Sequence, residues 1–168
     1  MAAPTSVVAL DIEIRRRQVK PGWFNKAMGL FRSRKVWVKA GFPSGSASAD
    51  NIKKAIWNEF GTRGGRSGGG WGGPIPERPF MRTAVKNNQS KYQNAMRVSA
   101  PKLLSGETDL RTVLSKLGIV VVTDIQNQIR SNMPPPNSEV TVALKGSSHT
   151  LIDSGAMVGA VTWKVEAP

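Results

Sequence analysis

Four local patterns carry residue types that can do chemistry. The run GGRSGGGWGG, residues 64–73, has the glycine content of a phosphate cradle. A P-loop also needs Lys followed by Ser or Thr at a helix entrance, so that an ammonium meets phosphate and a hydroxyl meets magnesium; here the glycines lead only to Pro74. Arg63 and Arg66 among glycines, with Trp71 beside them, suit guanidinium contacts to phosphates and stacking on bases. The competing reading is a loop that orders against a neighbouring subunit. Asp11 and Glu13 lie two apart, which places both carboxylates on one strand face; such a pair serves acid–base chemistry or simply a solvated face. Ser148, His149 and Asp153 cluster near the C-terminus, but triads are assembled by the fold rather than by sequence adjacency. His149 therefore reads as an exposed turn residue, and no catalytic residue is assigned.

Composition narrows the chemistry further. With no Cys and one His in 168 residues, thiol catalysis, disulfides, zinc ribbons and multi-histidine metal sites are excluded, and no cofactor is expected. The longest aliphatic run, Ile119 to Val122, is far short of the roughly 20 residues of a spanning helix, and the N-terminal charges follow the apolar stretch, the reverse of a secretory signal. The expectation is a soluble chain with no membrane partner. Residues 1–100 hold 18 basic and 5 acidic side chains, while residues 101–168 hold 6 of each, so the whole net charge of +13 lies in the first 100. A polyanion or an acidic protein is the partner such asymmetry fits, and a solubility surface is the alternative. Arg15, Arg16, Arg17, Lys20, Lys26, Arg32 and Arg34, interleaved with Trp23, Phe24 and Phe31, form a basic arm at 15–34, with Lys35 next to it. It either meets phosphates or is a solvated loop whose aromatics anchor it.

The elements that would position these residues follow from periodicity. Val7–Ile14 alternates as a strand, and Lys35–Phe42 as a second, with Val36, Val38, Ala40 and Phe42 on one face. Ser48 or Asp50 caps a helix bearing Ile52, Ala55, Ile56 and Phe60 that Gly61 ends. Residues 61–78 form a Gly-rich loop, since 8 of 17 Gly fall within 61–73. Pro79 opens a long helix with Phe80, Met81, Ala84, Val85, Tyr92, Ala95 and Met96, which Pro101 should end or kink near Ala100. A second long helix runs from a cap at Thr108 through Leu110 to Ile129, its five turns of helical spacing outweighing the β-propensity of GIVVV. After MPPPN, Val140–Leu144 reads as a short strand, LIDSGAM as a helical turn capped by Asp153, and Val158–Glu166 as a strand with Val161, Trp163 and Val165 on one face. The order β β α α α β β predicts one α+β domain over residues 1–168: a small antiparallel sheet packed with two long helices and one short one, carrying a basic arm and a Gly-rich loop.

Four separated motifs in one order, AIWNEFGT (Ala55–Thr62), IPERPFMRTA (Ile75–Ala84), IQNQIRSNMPPPN (Ile125–Asn137, downstream of Leu117 and Gly118) and TVALKGSSHTLIDSGAMVGAVTWKV (Thr141–Val165), resemble the tail-completion, or virion morphogenesis, proteins of long-tailed bacteriophages. The similarity covers about residues 50–166. Glu77 stands where that family more often has Ala, Ser154 where Thr is commoner, and the Gly-rich insert is unusually long. The resemblance implies a non-enzymatic virion subunit at the head–tail junction, assembled in the host cytoplasm. Its partners would be copies of itself in a six-fold or twelve-fold ring, other neck and tail proteins, and the genomic DNA that passes through. The residues expected at subunit interfaces or facing DNA are Arg15, Arg16, Arg17, Trp23, Phe24, Phe31, Arg63, Arg66, Trp71, Pro134, Pro135 and Pro136. A free nucleic-acid-binding protein that uses the basic arm and the Arg/Gly loop is the rival reading.

Overall fold

The computed structural model describes residues 36–43, 45, 47–64 and 73–166. In chain order the elements are β1 (Trp37–Gly41), α1 (Ala49–Phe60), α2 (Phe80–Ser105), α3 (Leu110–Arg130), α4 (Glu139–Lys145), α5 (Ala156–Gly159) and β2 (Thr162–Glu166). The fold is α+β, a small antiparallel sheet with two long helices and three shorter ones. β1 and β2 pair with Trp37 opposite Glu166 and Gly41 opposite Thr162. The expected strand at Val7–Ile14 and the amphipathic piece around Trp23–Phe31 lie outside the described residues.

α1 starts where Ser48 accepts a hydrogen bond from the Asn51 amide, and it stops at Gly61, whose φ of 70° favours glycine. α3 is one helix through GIVVV, as its spacing predicts, but its N-cap is Asp109 rather than Thr108: the carboxylate accepts from the Thr112 amide and hydroxyl. Gly118 is what lets α3 lie on the sheet. A Cβ there would sit 2.9 Å from the Trp163 ring and 3.0 Å from Val38, so a side chain would hold helix and strands apart.

Three expectations are corrected. Pro101 does not end α2 near Ala100; the helix continues to Ser105 and closes on Gly106, in the left-handed conformation, with amide bonds to Leu103 and Lys102 carbonyls. Pro101 sits close to the C-terminus on the exposed side, where one missing amide is tolerated. Val140–Leu144 is not a strand but most of α4, because Ser138 caps it, Gly146 terminates it, and among the described residues no neighbouring strand offers the pairing that a β conformation needs. Residues 156–159 are helical, so the last strand begins at Thr162 rather than Val158, and the cap of that turn is Gly155, not Asp153.

The core gathers at one end of the α2–α3 hairpin, where Ala55, Phe80, Ala84, Ile125, Ile129, Met133, Leu151, Met157, Val158 and Val161 pack together. Phe42 meets Phe80 edge-on at 6.4 Å. Beyond this end the apolar stripe expected along α2 is only partly used, with Val85 and Ala95 exposed.

Candidate interaction surfaces and the hub that positions them

Of the residues expected at an interface, Arg63, Pro134, Pro135 and Pro136 are described; Arg15, Arg16, Arg17, Trp23, Phe24, Phe31, Arg66 and Trp71 lie outside the described residues. Arg63 is exposed at the root of the Gly-rich loop. That root is closed: the Thr62 amide donates to the Ile75 carbonyl at 2.8 Å, and the Ile75 amide donates back to the Thr62 hydroxyl at 3.1 Å. Gly64 completes the pinch, since a Cβ on it would lie 2.8 Å from the Pro74 nitrogen. Both ends of the loop are therefore anchored.

The prolines turn out to be part of a latch. Their rings are exposed, but the carbonyls of Pro135 and Pro136 accept from the guanidinium of Arg78 at 2.8 and 3.1 Å, with the Asn137 side-chain oxygen at 3.4 Å. The Pro134–Pro135 peptide is cis. Arg78 is 3% exposed, and burial lowers its pKa. The arrangement extends onward. The Asn137 side-chain amide donates to the His149 carbonyl at 3.0 Å, which also accepts from Lys145 Nζ, and the Thr150 amide donates to the side chain of Asn132 at 2.9 Å. His149 is consequently not an exposed turn residue: it is half-buried, its Nε2 3.2 Å from the Arg130 carbonyl and its Nδ1 without a partner among the described residues.

Glu59 forms the second half of the hub. Its carboxylate is 1% exposed, accepts from the amides of Met81 and Arg82 at 2.9 and 3.0 Å, and pairs with Arg82 Nε at 3.0 Å. This places a full negative charge on the first turn of α2, where the peptide dipoles favour it. Arg82 also reaches Glu77, and stacks 5.0 Å over the exposed ring of Phe60. Farther along the hairpin, Asp124 of α3 accepts from Lys91 at 2.7 Å and from the Tyr92 hydroxyl at 2.9 Å, and burial followed by that carboxylate raises the phenol pKa.

Glu59, Arg78, Arg82, Asn137 and Thr150 were not singled out by sequence reasoning. A signal existed for two of them: Glu59 beside Phe60 and Arg78 between Glu77 and Pro79 are charged residues close to aromatic ones in short motifs, WNEFG and PERPF. Among the described residues there is no cluster of three or more His, Asp or Glu able to hold a metal, and no helix long and apolar enough to cross a membrane. No protein-family model, curated protein or solved structure matches the chain.

Proposed function

We propose that the chain is a non-enzymatic structural subunit of the neck of a tailed bacteriophage, a tail-completion protein that assembles into a ring and joins the tail to the DNA-filled head. One observation carries the reading. The motifs on which the family resemblance rests, far apart in sequence, converge on a single hub: Glu59 of EFGT on the amides of RPFMR, and Arg78 of that same motif on the PPN carbonyls. A hub of this kind needs no substrate. It holds the root of the Gly-rich loop, the proline rings and the faces of α1 and α2 in fixed relation, which is what a subunit needs to meet a neighbour repeatedly around a closed ring.

The basic first 100 residues then serve as the surface that meets passing DNA or an acidic neighbouring protein, and contacts that permit DNA to slide must be weak individually. The deciding experiment is deletion of the gene in its phage, followed by electron microscopy of the lysate. Filled heads and unjoined tails are expected to accumulate separately, and complementation should place the subunit as a ring at the junction. Normally joined particles in the deletion would overturn the reading.

A further inference from the structure

We propose that the groove between α1, segment 73–78 and α4 binds a peptide segment of a partner protein in which a carboxylate side chain stands beside apolar ones. The groove consists of two hollows. One reaches Lys54, Leu144 and Met157, the other Ile75, Pro76 and Arg78, and both are lined by Asn58, Thr141, Lys145 and Thr150. They therefore adjoin, and together they make up the trough.

Charge is the first argument. Lys54, Arg78 and Lys145 line it, and none of the three has a carboxylate within ion-pairing distance among the described residues. Arg78 and Lys145 are held instead by neutral oxygens, those of Pro135, Pro136, Asn137 and His149. Asp153 lines the trough and acts on Lys145 only from farther away, while Arg78 repels it. Partly desolvated cations without a counter-ion favour an incoming carboxylate more strongly than exposed ones do, because less water screens the contact.

Apolar surface is the second argument. No residue of α4 is buried; Leu144 is 86% exposed and Val140, one turn earlier on the same side, 69%. Such a helix is maintained by its caps at Ser138 and Gly146, and it presents an uncovered apolar edge at the lip of a cationic trough. Thr150, 8% exposed, lines both hollows; its hydroxyl is itself buried and has no hydrogen-bond partner among the described residues. The acidic Glu139 and Asp153 nearby disfavour a continuous polyphosphate strand, so a peptide with an isolated carboxylate fits better than nucleic acid. The inference rests on the groove alone and uses neither the basic arm nor residues 65–72 of the Gly-rich loop.

The test is selection of a random short-peptide library on the full chain, counter-selected on the Leu144→Asp variant. Leu144 is exposed enough for that variant to keep its fold, which a thermal melt checks. Enriched peptides should carry Asp or Glu next to Leu, Ile, Met or Phe. Exchanging the acid for its amide, or Lys145→Met in the protein, should each weaken binding about tenfold, the loss of one charge-assisted hydrogen bond. If Lys145→Met does not fold, the amide exchange and the Leu144→Asp arm decide. No enrichment over Leu144→Asp, enrichment of basic or neutral peptides, or displacement of the peptide by a single-stranded oligonucleotide would each overturn the proposal.

Discussion

The phenol of Tyr92 is a direct reporter of the α2–α3 contact, because it is the chain's one tyrosine and its hydroxyl donates to Asp124 at 2.9 Å. Burial and that carboxylate both favour the neutral phenol, so its folded pKa lies above the ordinary 10.0. The group's contribution to stability is whole below pH 10 and is lost as pH rises beyond it, since the unfolded chain releases the proton first. An ultraviolet titration should therefore show no tyrosinate near pH 10 in the folded protein, and Asp124→Asn should bring ionisation down towards that pH. A wild-type midpoint at the ordinary value would show that the contact is absent in solution. Glu59 allows a second residue-scale test. Glu59→Gln keeps the shape but replaces one accepting oxygen with an amide that faces backbone donors, and it removes the charge paired with Arg82. The expected loss is roughly 1.5–3 kcal/mol, the range for hydrogen bonds to a charged group, read from urea unfolding.

Among the elements, the packing of α3 on the sheet is decided at Gly118. Glycine inside a helix costs about 1 kcal/mol relative to alanine, so Gly118→Ala would stabilise α3 taken alone. Against this, the new methyl would meet the Trp163 ring at 2.9 Å, and overpacking of a tight contact costs typically 1–3 kcal/mol. The ring is flat and confined between helix and strand, so the clash should prevail: net destabilisation of about 1 kcal/mol, with a shift in tryptophan fluorescence. A more stable Gly118→Ala protein would mean that the sheet yields easily. The same element scale shows what the sequence made legible. Ser48, Gly61 and the five-turn stripe of α3 were readable because capping and helical spacing are local. Val140–Leu144 is helical against its β-propensity because β-branched residues favour strands only where a partner strand exists, and among the described residues none lies beside it. Pro101 was misread because its cost depends on where in the helix it falls. The hub was legible as strings of residues but not as contacts, since Arg78 and Pro135 are 57 residues apart and nothing local to either encodes the hydrogen bond between them.

At the level of the whole molecule, the closed root of the Gly-rich loop separates folding from assembly. Thr62 and Ile75 pair independently of what lies between, so excising residues 65–72 shortens the closed segment without touching the hub. Loop-closure entropy then favours the folded state by about 1 kcal/mol, and thermal stability should hold or rise slightly. If the loop bridges neighbouring copies, as the ring reading requires, the excised chain should sediment as a monomer where the full chain associates, and should fail to complement the gene deletion. The rival reading, a free nucleic-acid binder, predicts something else for the full chain: DNA affinity that falls steeply with salt, because each neutralised phosphate releases a counter-ion. A subunit that lines a channel must let DNA slide, so tight, steeply salt-dependent binding by the isolated chain would count against the ring. Weak binding by the monomer, together with loop-dependent association, would instead place the +13 charge on a structural surface assembled only when copies come together.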